Sequence, residues 1–475
     1  VKQSKDFASG DSSSDLEPSL DVYYKITPSL TAALTLNTDF SATEVDDRQV
    51  NLTRFSLFLP EKRQFFNQDL DIFSFGGLEE NGRPFFSRRI GLSDGGEPVD
   101  IIAGGKVSGR IGRWNIGVLD VLQDDSANVP RTNVFVGRAA ANILEESSLG
   151  LIYTNGNPTA DIDNQLFGVD FRYRNTSLIP GNTIQGVAWY QRSDTEGIES
   201  DQEAYGWRVE YPNSERWFGE LGQWVIEENF NPAVGFVNRA DIIGTKAEIG
   251  YTFTPNGRFL RNITFKNIFE NIDNTDGELE SRELVIEPFS VETQFGDEFE
   301  IRLKRIDEVL EEEFEISPGV IIGTGAYSFD RVQFVLESAL ERRLALGLDI
   351  DIGDFYDGDL FKVGGNVSWR PGRHFYMQLG YEYNDVELPA GSFVTRLYRL
   401  RADVAFTDKW SWLNVVQYDN VTDTGGFNSR LRYNPQAGQD LYLVLNRQFD
   451  VDPLTRDVSS STSEFVVKFN YTFRF

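Results

Sequence analysis

The sequence predicts an all-β chain: a transmembrane antiparallel β-barrel of roughly 24 strands, give or take about two, with a plug-like segment in its lumen. Three observations lead there. Apolar and polar residues alternate with period two from Leu20 to the end, the signature of strands with one apolar face. No apolar run reaches the length of about 18 residues that a spanning helix needs. Aromatics make up 13% of the 475 residues, with 37 Phe, 18 Tyr and 42 Gly, a mixture that suits many half-buried strands joined by turns. Length alone would suggest several soluble domains, but the unbroken alternation argues for one barrel.

Residues 1–18 are polar, include Gly10-Asp11-Ser12-Ser13-Ser14, and read as an amino-terminal linker. The chain starts at Val1, and no signal peptide is visible. A protein of this class must first be exported, so the sequence is expected to be a processed or truncated mature form. The barrel is expected to span 19–475.

Its last strand shows the pattern best. Phe465, Val467, Phe469, Tyr471, Phe473 and Phe475 share one face, and Val466, Lys468, Asn470, Thr472 and Arg474 the other. Earlier stretches repeat it: Ala247, Ile249, Tyr251 and Phe253; Leu344 to Ile352; Phe375 to Tyr383; and Tyr398 to Phe406. Inner faces such as Asp349 with Asp351, or Arg399 with Arg401, carry charges that need water or partners. Short connections are expected at Arg110–Arg113, Glu145–Ser147, Pro212–Glu215, Pro255–Arg258, Gly296–Asp297, Pro371–Arg373 and Thr407–Lys409. Longer ones are expected at Asp124–Arg131, Ser193–Gln202, Asn229–Asp241, Glu308–Gly325, Asn384–Ser392 and Asp450–Ser463, and such asymmetry is a barrel's polarity signature. The Thr27-Pro28-Ser29 turn stays out of phase with them unless one more early segment is a strand.

Between Pro60 and Pro98 the alternation stops. Glu61, Lys62, Arg63, Arg83, Arg88 and Arg89 offer a paired network, and Phe65, Phe66, Phe73, Phe75, Phe85 and Phe86 a small core. Such a loop needs burial for its rings and partners for its charges, so 60–98 is expected to fold inward as a plug or constriction. The candidates there are Glu61, Lys62, Arg63, Phe65, Phe66, Arg83, Phe85, Phe86, Arg88 and Arg89.

Two sets of residues are similar to patterns in known proteins. The closing Tyr471, Phe473 and Phe475 resemble the carboxyl-terminal signal read by barrel-assembly machinery. Asn37-Thr38-Asp39-Phe40, Glu44-Val45-Asp46, Asn51-Leu52-Thr53-Arg54-Phe55, Pro60-Glu61-Lys62-Arg63, Phe65-Phe66 and Phe85-Phe86-Ser87-Arg88-Arg89-Ile90-Gly91 resemble a family of bacterial outer-membrane proteins, as do Gly105-Lys106 and Gly109-Arg110. In that family a family 9 carbohydrate-binding module precedes a barrel domain of undefined function. The resemblance covers most of the chain and is densest over 37–175. Asn67-Gln68 stands where that family more often has an acidic residue, which puts an acidic catalytic role there in doubt. The resemblance implies an outer-membrane location in a Gram-negative bacterium, with the carbohydrate-binding module upstream of Val1.

Composition excludes several chemistries. Cysteine is absent and His374 is the one histidine, which removes thiol catalysis, Cys-ligated zinc and iron–sulfur clusters and leaves little for a Ser-His-Asp triad. A net charge of −29 opposes nucleic-acid binding. Calcium candidates are Asp354, Asp357 and Asp359, although DIDIGDFYDGD lacks the EF-hand pattern. No other metal site, cofactor or catalytic residue is called, and nothing isolates one glycosidase-type carboxylate pair from 74 Asp and Glu;. The expected function is passage or handling of a solute, carbohydrate-related on the resemblance alone. The alternative is a non-transporting anchor or assembly partner for an upstream module or bound protein. A barrel-embedded hydrolase comes last. Expected partners are outer-membrane lipid and lipopolysaccharide, the assembly machinery, and oligosaccharide.

Overall fold

The computed structural model describes residues 1–7, 9–16, 18–38, 43–93, 96, 98–126, 129–212 and 216–471. Phe473 and Phe475 of the terminal aromatic signal lie outside the described residues. The first strands are β1 (Lys2–Asp6), β2 (Ser12–Asp15), β3 (Leu20–Thr27) and β4 (Leu30–Leu36). A connection over 37–100 holds one short helix, α1 (Gln64–Asn67), and two 3-10 turns. Then follow β5 (Ile101–Ile111), β6 (Trp114–Gln123), β7 (Thr132–Ile143), β8 (Ser147–Asn155), β9 (Asn164–Asn175) and β10 (Ile184–Thr195). Next come β11 (Glu203–Tyr211), β12 (Trp217–Ile226), β13 (Ile242–Phe253), β14 (Leu260–Asn274), β15 (Leu279–Thr293) and β16 (Glu298–Leu310). A small hairpin, β17 (Phe314–Ser317) and β18 (Val320–Ile322), interrupts the series. It resumes with β19 (Gly325–Glu337), β20 (Leu344–Phe355), β21 (Gly358–Gly372), β22 (Phe375–Leu388) and β23 (Gly391–Ala405). β24 (Trp410–Asp419), β25 (Thr424–Gln436), β26 (Gln439–Val451) and β27 (Val458–Tyr471) complete it.

Twenty-five of these strands form one antiparallel sheet. Each strand from β3 onward pairs with the next, β16 passing directly to β19. β27 then pairs with β1, and β1 with β2. β2 and β3 run in the same direction, separated by 16–19, and the Asn37 side-chain amide beyond β4 still donates to the Pro18 carbonyl at 2.9 Å. The two strands therefore act as one interrupted stave between β1 and β4. This closes the ring, and 25 strands less one shared stave give 24 staves, the even number that antiparallel closure requires.

Residues 1–18 are thus not a linker. Lys2–Asp6 and Ser12–Asp15 are polar on both faces, so no alternation betrays them; backbone pairing and the Lys2–Glu464 ion pair hold the first to β27, and the second pairs with the first. The Thr27-Pro28-Ser29 turn keeps phase without a further strand, because β4, the connection 37–100 and β5 lead from it to the next short turn at the same end.

The barrel is inside out relative to a soluble one. Phe465, Val467, Phe469 and Tyr471 are exposed while Val466 is buried. Leu344, Leu346, Leu348 and Ile352 are exposed while Ala345 and Asp351 are buried. An apolar outer face with buried or polar inner positions is what lipid outside and water or protein inside demand. At the ring's end that holds Gly112–Arg113 and Gln436–Gln439, connections run from two to eight residues. At the other end they reach 15 residues (227–241) and, over 37–100, far more. Two expected long loops are corrected. Asn384–Leu388 continues β22 and only 389–390 turns, and the last loop shrinks to 452–457, because the strands of the second half run further than the alternation alone revealed. Expected loop Glu308–Gly325 contains the β17–β18 hairpin.

Candidate functional site in the lumen

The connection 37–100 leaves the loop end and descends inside the ring. Its phenylalanines seat on glycines of the inner wall, where a side chain is missing. A Cβ added at Gly104 would meet the Phe65 ring at 3.2 Å, one at Gly117 the Phe73 ring at 2.8 Å, and one at Gly168 the Phe75 ring at 2.8 Å. Around these contacts Leu119, Val121, Val134, Val136, Ile152, Leu166 and Ile226 are almost wholly buried. The core therefore lies in the lumen, between the segment and the inner faces of β4 to β14.

Polar pins fix the descent. Lys106 Nζ donates to the Phe65 and Gln68 carbonyls, satisfying groups that the four-residue α1 leaves open. Ser108 Oγ donates to Asp69 at 2.7 Å. At the bottom, Asp170 accepts from Arg138 at 2.6 Å and from the Gly76 amide at 3.2 Å, with both side chains of the ion pair at most 4% exposed. On the way back up, Phe58, Phe86 and Phe236 pack with centroids 4.8 to 5.5 Å apart, under the 227–241 loop.

The candidates from 60–98 divide into groups. Arg63 makes a two-pronged pair with Glu61, and Ser87 Oγ donates to the same carboxylate at 2.7 Å. Burial pushes the Glu61 carboxyl up, but the Arg63 and Ser87 hydrogen bonds and the Arg63 charge outweigh it and hold it below the usual range;. Arg63 also covers the Phe66 ring at 4.3 Å. Lys62 and Arg88 both reach Asp46, at 3.7 and 2.6 Å. Arg83 lies over Phe58 and Phe86, and Arg89 donates to the Gly235 carbonyl. Phe65 and Phe66 meet edge to face, and Phe85 packs on Phe73.

Sequence reasoning missed the strap at 43–56, which precedes the Phe pair and crosses the lumen. Glu44 pairs with Arg430 at 2.5 Å and lies 3.9 Å from Arg401. Arg48 pairs with Asp419 and donates to Thr424. Arg54 and Arg239 both pair with Glu280, at 2.8 and 3.1 Å, and both guanidiniums lie on the Phe55 ring. One strap thus spans from β23–β25 to β15. The sequence signals for it were the oppositely charged run Glu44 to Arg54, lying between strands and without alternation, and the family resemblance of Glu44-Val45-Asp46 and Asn51–Phe55.

The segment fills one side of the ring. On the other side lie cavities of about 380 and 330 Å³, which share Glu44 and Lys62 as lining residues. The first adds Asp21, Tyr23, Gln64, Arg430, Tyr442 and Asn470. The second adds Asn366, Gln378, Glu382, Arg399, Arg401 and Asn428. At the loop end, the β17–β18 hairpin packs with Phe329, Phe355, Leu360, Val386 and Leu388 into an apolar cap. Asp349 and Asp351 face inward, on Gln333 and Lys304. Asp354 and Asp359 are ladder partners flanking the turn of exposed Asp357. Among the described residues, no three His, Cys, Asp or Glu groups gather that could hold a metal ion.

A family described as a domain of unknown function (DUF5916) matches residues 2–122. A siderophore receptor, PirA, from Pseudomonas aeruginosa superposes with a TM-score of 0.49 at 9% identity, over 81% of this chain and 79% of that one. A mutant ferric enterobactin receptor of the same organism gives 0.46 at 10% identity, over 80% of each chain. Among curated proteins, one component of the Na(+)-translocating NADH-quinone reductase of Vibrio vulnificus is 25% identical over 128 residues. That match covers 25% of this chain and 46% of the relative, so it spans about half the length of those proteins.

Proposed function

We propose that this barrel sits in the outer membrane of a Gram-negative bacterium and passes or handles a small polar solute, carbohydrate-related, without catalysing a reaction. The observation that carries this reading is the half-filled lumen. The segment's rings and the strand glycines pack away one side, while the wall of β20 to β27 stays lined by Asn366, Gln378, Asn428, Glu382 and Arg399 around open space. Amides and charges of both signs suit a hydroxyl-rich solute that is held and released. The carbohydrate class rests on the sequence resemblance to the family that carries a carbohydrate-binding module. Single-channel conductance in planar bilayers tests the reading. Gly364 has room around it, since an added Cβ would meet nothing closer than 3.9 Å. Gly364→Trp should therefore lower the conductance, and oligosaccharides should interrupt the wild-type current.

The apolar cap over β19 to β22 favours a second reading, in which the barrel conducts nothing and anchors an upstream module or a bound protein. Absence of conductance in either orientation, with or without residues 311–324, would select it.

A further inference from the structure

We propose that Arg401 and Arg430 form a carboxylate-binding site for an acidic, polyhydroxylated solute of the uronic-acid class, and that the strap's own Glu44 occupies it in this structure. The inference deepens the solute-passage reading and rests on it. Arg401 stands on β23 and Arg430 on β25, with β24 between them, and each lines one of the two open cavities. Asp403 already serves Arg401 at 3.0 Å, and Glu382 serves the neighbouring Arg399 at 3.7 Å. Arg430 takes a carboxylate from the strap, with Glu44 Oε1 at 2.5 Å and Oε2 turned to Arg401 at 3.9 Å. A guanidinium pair converging on one carboxylate is the arrangement that recognises that group on any molecule.

Glu44 is held there as a replaceable ligand would be. Its side chain remains 40% exposed, and it lines both open cavities. An incoming acid can therefore approach the same arginines from either side. The remainder of the second cavity presents Asn366, Gln378 and Asn428, donors and acceptors suited to hydroxyl groups. Gly380 keeps the space next to Arg399 clear, its nearest neighbour to an added Cβ being the Arg399 Cβ at 3.6 Å. An acid that binds the arginines must displace Glu44, so the apparent affinity is reduced by the fraction of time the strap's carboxylate holds the pair.

Calorimetry on the full chain in detergent tests this, with trigalacturonate as probe and the neutral trigalactose as control. Glu44→Gln should bind trigalacturonate at least about tenfold more tightly than wild type, because the competitor is gone. Arg430→Gln and Arg401→Gln should lose that binding, while heat-modifiable mobility on gels shows each barrel folded. Neutral trigalactose should bind all forms alike. Asp47→Asn removes the same charge from the cavity lining without touching the arginine pair, and should gain little. An equal gain in Asp47→Asn, no gain in Glu44→Gln, or undiminished binding after loss of the arginines would overturn the proposal. Conductance is read separately: wild-type current with no gain in Glu44→Gln sinks the carboxylate site and leaves solute passage standing. Gained binding without any current does the reverse.

Discussion

Replacing Asp170 with Asn should loosen the whole luminal segment. Asp170 neutralises Arg138 through two hydrogen bonds, at 2.6 and 3.0 Å, and accepts the Gly76 amide as well. With the pair at most 4% exposed, removing one charge strands the other in a dry interior, a loss of about 3–5 kcal/mol. Asn keeps one acceptor oxygen, which places Asp170→Asn near the low end, about 3 kcal/mol. The double variant Arg138→Met/Asp170→Leu removes both charges and leaves the Gly76 amide unpaired, at about 1–3 kcal/mol. Arg172, 3.7 Å from Asp170, is 42% exposed and donates to Ser74 Oγ at 3.4 Å, a contact that neither variant touches. The chain has no cysteine, so Val234→Cys, in a fully buried position whose carbonyl accepts from the Phe86 amide at 2.9 Å, reports opening directly. Under conditions where reclosing outpaces labelling, Asp170→Asn should raise the thiol-labelling rate by roughly two orders of magnitude, and the double variant by less. Labelling at the background rate in Asp170→Asn, or faster labelling in the double variant, would refute the assignment of this ion pair as the segment's lower anchor.

Other expectations follow from the same contacts. Gly168→Leu drives a side chain into the Phe75 ring and should cost about 1–3 kcal/mol in segment opening, whereas Gly105→Ala, with nothing within 4 Å, should be neutral in the same labelling assay. The excess of 29 negative charges must lie on loops and lumen, because lipid-facing carboxylates are costly. Reversal potentials of small salt ions should therefore show cation preference, strongest at low salt, with the Arg401–Arg430 pair a local positive site within an otherwise acidic lumen; clear anion preference of the open barrel would contradict this. Glu61 has a lowered pKa in the folded state, so its contribution is complete above the ordinary glutamate range and is lost as pH falls through its depressed value. Segment opening should rise under acid, and Glu61→Gln should flatten that rise.

The barrel itself was legible because period-two alternation survives in nearly every stave, from Ala247–Phe253 to the closing aromatic strand. Three things were not. The closing strands β1 and β2 carry Lys-Gln-Ser-Lys and Ser-Ser-Ser-Asp, which share no apolar face and are held by backbone pairing and polar side-chain contacts. The upper turns at 356–357 and 389–390 are short, so polar residues such as Asn384 and Asp385 belong to a strand end rather than to a loop. The strap could not be read because its meaning lies in partners hundreds of residues away: Arg48 finds Asp419, and Glu44 finds Arg430. Charge alone, without register, does not say which carboxylate meets which guanidinium.

One signal for the segment's position was nonetheless present in the strands. Where water lines the lumen, inner positions are polar, as with Asp349, Asn366, Gln378 and Arg399. In β6 to β9 the inner positions include Leu119, Val121, Val134, Val136, Ile152 and Leu166, all nearly inaccessible, although the outer positions Val118, Leu149, Leu151 and Phe167 are apolar too. A strand apolar on both faces inside a barrel must have protein on its inner side, since water there would leave that face unsatisfied. Glycines on the inner faces of β5, β6 and β9, namely Gly104, Gly117 and Gly168, add that the covering protein approaches closely and with bulky side chains;. Together these strand residues call for an aromatic-rich filler against one side of the ring, and the six phenylalanines of 65–86 are where the chain keeps it.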